Sequence, residues 1–151
     1  MKTITGDLIK LALEGEFDVI VHGCNCLCTM DAGIAKAIKS TFTEALAADR
    51  STECGDRSKL GSYSTATVQR NGHTISIINA YTQFHYKGQG ILLNYDALRQ
   101  VFRSLNSEYA GKRVGIPKIG AGLAGGDWNI IYGIIEVETP LLQITLVEFN
   151  R

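Results

Sequence analysis

This chain lacks a surplus of either charge: 15 Lys and Arg residues balance 15 Asp and Glu residues. Without runs of Lys or Arg it has no electrostatic footprint of a general nucleic-acid binder. It also lacks any apolar stretch near the roughly eighteen residues of a membrane span. Its opening, Met1-Lys2-Thr3-Ile4-Thr5-Gly6-Asp7, holds no signal-peptide core. A cytoplasmic monomer with no membrane partner is the expectation. No internal repeat, low-complexity tract or linker divides the sequence, which reads as one domain, 1–151. Metal-ligand spacing is missing too. Cys24, Cys26 and Cys28 crowd one segment while Cys54 stands alone, and C-x-C-x-C matches no common zinc pattern. No metal and no cofactor is expected, and the cysteines read as reduced, small buried hydrophobes.

What the chain does have is a pair of glycine-marked junctions. The first runs Val19-Ile20-Val21-His22-Gly23-Cys24-Asn25-Cys26, then Asp31-Ala32-Gly33-Ile34-Ala35. The second runs Val114-Gly115-Ile116-Pro117-Lys118-Ile119-Gly120-Ala121-Gly122-Leu123-Ala124-Gly125-Gly126-Asp127-Trp128. Each is an apolar, strand-like run that breaks into a loop and then a helical pattern. Such junctions bring bare backbone N–H groups and helix N-termini up to an anion, most often a phosphate.

The remaining segments supply the frame. Lys2 to Thr5 reads as a short strand, and Asp7 as the N-cap of a helix carrying Leu8, Ile9, Leu11 and Leu13. Phe17 to Val21, apolar but for Asp18, reads as a strand covered on both faces. One helix is expected over Gly33 to Ala48 and a polar surface loop over 49–62. Tyr63 to Gln69 and Thr74 to Tyr81 flank Asn71-Gly72, a strong hairpin signal. Helices follow from about Leu92 to Tyr109 and from Trp128 to Val137, with strands at Arg113 to Ile116 and Gln143 to Phe149. The predicted fold is three-layer α/β/α with a mixed, mostly parallel central sheet. In such sheets ligands sit outside the carboxyl ends of the parallel strands, where both glycine junctions lie.

At these residues the chain resembles a macrodomain, the family that binds ADP-ribose. Gly6-Asp7-Leu8, the segment from Val19 to Ala37, the strand ending near Asn79, and the loop from Ile116 to Trp128 carry the likeness. His22-x-Cys24-Asn25-Cys26 with Ala32-Gly33-Ile34-Ala35 is similar to the fungal ADP-ribose-1″-phosphate phosphatases. Gly120-x-Gly122-Leu123-x-Gly125-Gly126-Asp127-Trp128 looks like the loop of bacterial antitoxin macrodomains and the terminal ADP-ribose glycohydrolases.

The resemblance implies roles. Asp7 would accept a hydrogen bond from the adenine amine with Leu8 beside the ring; a plain helix cap is the other reading of Asp7, and both can hold. Asn25 would hold the distal ribose, or else form a turn. Gly33, Ile34 and Ala35 would offer N–H groups to the diphosphate. Ile119, Gly120, Ala121, Gly122, Leu123, Ala124 and Gly125 would wrap the second phosphate and the distal ribose. Small-molecule ADP-ribose derivatives are the expected partners.

Three activities follow from such a likeness: hydrolysis of ADP-ribose 1″-phosphate, removal of ADP-ribose from protein or nucleic acid, and binding without turnover. For the first, His22 would exchange a proton and Asp127 would orient water, with Asn25 completing the catalytic set. A loop-bonding role for His22 and a helix cap at Asp127 are the structural alternatives. For the second, the resemblance implies a lysine nucleophile, but Gln83 falls near that place, with Lys87 four residues on. Ala124 likewise stands near an expected aspartate. Tyr81, Phe84, Tyr86 and Trp128 are candidates to wall the pocket. The expected activity is the phosphatase. A serine hydrolase lacks its nucleophile-elbow sequence, and Gly120-x-Gly122-x-x-Gly125 falls too late in the chain for a Rossmann fingerprint.

Overall fold

The computed structural model describes residues 1–149. In chain order the elements are β1 (Lys2–Gly6), α1 (Leu8–Leu13), β2 (Val19–Cys24), α2 (Gly33–Thr41), α3 (Thr43–Arg50), β3 (Tyr63–Arg70), β4 (His73–Tyr81), α4 (Tyr95–Glu108), β5 (Arg113–Ile116), α5 (Trp128–Glu138) and β6 (Gln143–Phe149). The six strands form one sheet in the order β1-β6-β5-β2-β4-β3. Only β3 and β4 pair antiparallel; the other neighbours run parallel. The hairpin turn is Asn71-Gly72, with both residues at positive φ (54° and 78°), as a tight primed turn demands.

Strand alternation sorts the core into two halves. Val19 and Val21 of β2, with Ile78 and Ala80 of β4, face α4 and α5. Ile20 of β2, with Ile75 and Ile77 of β4, faces α1, α2 and α3. Helices on both faces of a mostly parallel sheet make the expected three-layer α/β/α architecture. Among the described residues no helix is long and apolar enough to cross a membrane.

Three expectations need correction. The helix predicted over Gly33 to Ala48 is two helices, because Phe42 leaves helical dihedrals (φ −119°, ψ 82°) while its ring is fully buried. The bend lays α3 across the hairpin strands. The helix predicted from Leu92 begins at Tyr95, capped by the Asn94 side chain on the Ala97 N–H. Leu92 and Leu93 instead donate backbone N–H groups to the Ala124 carbonyl, at 2.8 and 3.2 Å, and brace the second glycine loop. The segment 49–62 is not simply surface: Asp49 is 1% and Lys59 7% exposed. That segment folds back under the loop after β2, and there Cys28 and Cys54 form a disulfide. These two are therefore not the reduced thiols expected from composition; Cys24 and Cys26 are free and buried.

Candidate functional site

A cleft of about 450 Å³ opens at the carboxyl ends of β2 and β5. One wall is the start of α2. Gly33, Ile34 and Ala35 line it, and Ala32, at the N-cap position, offers no side-chain cap. By contrast α1, α4 and α5 are each capped by a side chain, from Asp7, Asn94 and Asp127. The first-turn N–H groups of α2 are thus left for solvent or a ligand. Gly33 has φ +57°, and a Cβ built on it would meet nothing within 4 Å.

The opposite wall is the second glycine loop, with Ile119, Gly120, Gly122, Leu123 and Ala124 on the cleft. The loop closes on itself through Gly125 N–H to the Gly122 carbonyl (3.0 Å) and Gly126 N–H to the Gly120 carbonyl (2.8 Å). Among the described residues, the N–H groups of Gly120, Gly122, Leu123 and Ala124 find no protein acceptor. Two walls carrying unpaired amides border one concavity, an arrangement able to hold an anion without surplus charge. Ala121 and Gly125 belong to this loop but do not line the cleft.

At the floor, Cys24 and Asn25 line the cleft with Gly23, whose lack of Cβ keeps it clear of Thr82 Oγ1 and Ile119. Asn25 is 8% exposed. Its amide nitrogen donates to the Thr29 carbonyl (3.0 Å) and hydroxyl (2.9 Å), and its oxygen accepts from Leu27 N–H (2.9 Å). Asn25 therefore both turns the loop and fronts the cleft.

Both proposed proton carriers lie elsewhere. His22 is fully buried on the α3 face of the sheet, with Nε2 2.7 Å from Asn79 Oδ1 and the Cys24 sulfur 3.5 Å away. Burial drives its imidazole down to about 4, against a smaller upward pull from Asn79. That placement does not fit proton exchange with a ligand, and the expectation is corrected: His22 is a structural residue beneath the floor. Asp127 is exposed, caps α5 through Asn129 N–H (2.9 Å), and does not line the cleft. Its structural alternative is the one the geometry matches.

Asp7 and Leu8 follow β1 on the same sheet edge but outside the cleft. The Asp7 side chain accepts from Ile9 and Lys10 N–H through one oxygen, Oδ1, and Leu8 is buried. Of the aromatic candidates only Tyr86 lines the cleft. Tyr81 is buried below, Phe84 lies under the Arg57 guanidinium, and Trp128 packs edge-on against Tyr132. Gln83 lines the cleft; its amide donates to the His85 carbonyl, and its backbone bridges to Leu93. Lys87 is exposed and does not line the cleft.

Sequence reasoning missed Thr29, Asp31 and Lys118, all on the cleft. Thr29 had a signal, being the sole hydroxyl side chain in residues 22–32. Asp31 is held below the usual carboxylate range by its hydrogen bond from Lys39, so it is a charged, unreactive rim. A larger hollow of about 630 Å³ lies at the opposite edge, among Met1, Glu16, Arg113 and Glu136. It sits at the amino ends of the strands, where parallel sheets do not place ligands. Two of the charged groups there are paired, the Met1 ammonium with Glu136 and Arg113 with Asp18.

Comparison with known proteins agrees with this fold. The chain is 38% identical over 155 residues to the 17.5 kDa protein of the tk-vs intergenic region of Enterobacteria phage T4, covering 99% of this chain and 97% of that one. A crystal structure of a Bacteroides thetaiotaomicron protein superposes with a TM-score of 0.81 at 26% identity, covering 98% of this chain and 99% of that one. Thermosipho africanus DarTG in complex with ADP-ribose superposes with a TM-score of 0.71 at 16% identity, covering 98% of this chain and 41% of that one. The Macro domain family model matches residues 21–135, and the chain belongs to that family.

Proposed function

We propose that this chain binds ADP-ribose in the cleft and hydrolyses ADP-ribose 1″-phosphate to ADP-ribose and inorganic phosphate. The diphosphate lies between the first turn of α2 and the glycine loop, and the distal ribose lies over Asn25. The observation that carries the binding reading is the uncapped start of α2 facing the unpaired amides of the glycine loop. Gln83 on the cleft, where the resemblance implies a lysine, supports direct attack by water over a covalent lysyl intermediate.

With His22 and Asp127 off the cleft, the chemistry falls to positioning and to amide dipoles that stabilise charge on the leaving phosphate. Such a site makes a slow enzyme. That same displacement favours a second reading, binding without turnover. The titratable side chains on the cleft are Cys24, Asp31, Tyr86 and Lys118. Burial pushes the Cys24 thiol up, and Asp31 is tied to Lys39, so neither is poised to act as a base near neutral pH.

Calorimetric titration with ADP-ribose, run beside an assay of phosphate release from ADP-ribose 1″-phosphate, separates the two. Binding with release supports the phosphatase, and binding without release supports the second reading. No binding at millimolar ADP-ribose refutes both.

A further inference from the structure

The disulfide between Cys28 and Cys54 spans 26 residues of sequence and brings the two Cα atoms to 5.4 Å. Its sulfurs sit in unlike surroundings: Cys54 is exposed and Cys28 half-buried. Around the Cys28 sulfur the protein has a polar socket. The buried Lys59 holds its Nζ 3.6 Å away. The Asp49 carbonyl oxygen lies at 3.2 Å and the Thr52 hydroxyl at 3.6 Å. Lys59 is itself fixed there, donating to Thr52 Oγ1 and the Cys26 carbonyl with its ammonium 4.3 Å from the Tyr81 ring centre. A disulfide sulfur needs none of these partners. A reduced Cys28 uses them in turn: the carbonyl and hydroxyl oxygens accept from the thiol, and the Lys59 ammonium stands beside the thiolate.

We propose that Cys28–Cys54 is a thiol-exchange site, taking a dithiol as reactant, whose redox state sets the shape of the cleft floor. A thiolate of the dithiol attacks the exposed sulfur of Cys54. The Cys54–Cys28 bond breaks, and Cys28 leaves as a thiolate beside the Lys59 ammonium. The second thiol of the reactant, its proton lost to solvent, attacks the reactant's own sulfur in the mixed disulfide. Cys54 is released as a thiolate that takes a proton from water. Two electrons pass to the protein and the dithiol departs as its disulfide. A stabilised leaving thiolate departs faster, which is the part Lys59 plays.

The link to the cleft runs through one peptide bond. Cys28 sits at φ +60°, in the left-handed region, without being glycine. Such a residue persists only where its surroundings hold it, and the cross-link is one such restraint. Thr29 follows directly, and its carbonyl and hydroxyl are the two acceptors that fix the Asn25 amide. Once reduced, residue 28 relaxes toward negative φ, the Thr29 acceptors turn, and Asn25 loses its anchor. The oxidised form is the preorganised one. The ligand part of this inference rests on the ADP-ribose reading; the exchange chemistry does not.

The test uses the whole chain in oxidised glutathione or in dithiothreitol. Thiols are counted by alkylation and mass spectrometry, amide exchange is followed over residues 24–31, and ADP-ribose is titrated into both forms. Reduction should expose thiols at Cys28 and Cys54, speed amide exchange in the loop, and weaken ADP-ribose binding about five-fold. Cys54→Ser should behave like the reduced protein in either buffer. Lys59→Met should slow reduction by dithiothreitol about ten-fold. The proposal falls if both cysteines stay thiols in oxidised glutathione, if amide exchange in the loop is the same in both forms, or if two binding-competent forms show equal affinity. Loop exchange that follows redox state while neither form binds ADP-ribose supports the exchange site and refutes the ADP-ribose reading.

Discussion

His22 Nε2 lies 2.7 Å from Asn79 Oδ1, across the register pair where β2 meets β4. The Asn79 amide nitrogen donates to the Ala45 carbonyl (2.9 Å) and the Ser64 hydroxyl (3.1 Å), so its oxygen is turned to His22. Nε2 therefore carries the proton, and the imidazole is a neutral donor in the core. This pair ties the central strand to α3 beneath the cleft floor. It supports the strand end from which Asn25 follows, and neither residue lines the cleft.

The buried pair predicts a pH dependence of stability. The His22 pKa falls from an ordinary 6.5 to about 4 in the folded state, chiefly through burial. The unfolded chain therefore binds the proton first as pH drops. Stability is fully present above pH 6.5, declines between 6.5 and about 4, and changes no further from this group below that. The loss across the window is about 3 kcal/mol. Urea midpoints measured from pH 7 to 4.5 should show it, and His22→Gln should flatten the profile. An unchanged slope in that variant would refute the assignment.

How much of this was legible follows from where the signals lie. Local chemistry wrote the caps at Asp7 and Asp127 and the Asn71-Gly72 turn, which appear where expected; the strand expected over Phe17 to Val21 begins at Val19 and runs on to Cys24. The two glycine loops were readable for the same reason. The side of the sheet that His22 faces was not. A strand buried on both faces has no amphipathic face to read, so alternation could not assign His22 to α3. The bend at Phe42 and the burial of Asp49 and Lys59 arise from tertiary packing that overrides a regular helical pattern and a polar composition. The Cys28–Cys54 link needs the folding-back of residues 51–56, for which no local residue codes. Gln83 on the cleft was reachable only through family likeness, because its own surroundings read as an ordinary loop.

Asn25 should show a divided effect. Asn25→Ala leaves the Leu27 N–H without its acceptor, a loss of about 1–3 kcal/mol. It also removes the amide proposed to meet the ribose, so ADP-ribose affinity should fall by about ten-fold or more. Thr29→Val keeps the carbonyl acceptor and removes only the hydroxyl one, and should cost less than about 1 kcal/mol. Urea titration and calorimetry on both variants check this. Equal affinity for Asn25→Ala and wild type would exclude the ribose role.

Two glycines of one loop should behave oppositely. A Cβ on Gly126 would lie 2.7 Å from the Gly120 carbonyl and 2.6 Å from the Leu93 side chain, whereas one on Gly122 meets nothing within 4 Å. Gly126→Ala should therefore cost about 1–3 kcal/mol as the loop shifts. Gly122→Leu should leave stability within about 0.5 kcal/mol, yet fill the cleft it lines and weaken ADP-ribose. Thermal melts with and without ADP-ribose read both effects; a ligand-induced shift in Gly122→Leu equal to wild type would move the phosphate site off this loop.

Asp7 carries two candidate roles that substitution can part. The Ile9 and Lys10 N–H groups both bond one oxygen, Oδ1, at 3.0 and 3.1 Å, and an asparagine can cap through that same oxygen. Asp7→Asn should thus leave stability within about 0.5 kcal/mol, while Asp7→Ala loses about 1 kcal/mol of capping. If the carboxylate also receives the adenine amine, removing its charge turns a charge-assisted bond into a neutral one. ADP-ribose affinity should then fall about five- to ten-fold in Asp7→Asn despite the intact cap. Comparing ADP-ribose with ribose 5-phosphate, which has no adenine, isolates the effect. An Asp7→Asn protein that binds ADP-ribose as wild type does would leave Asp7 a helix cap and nothing more.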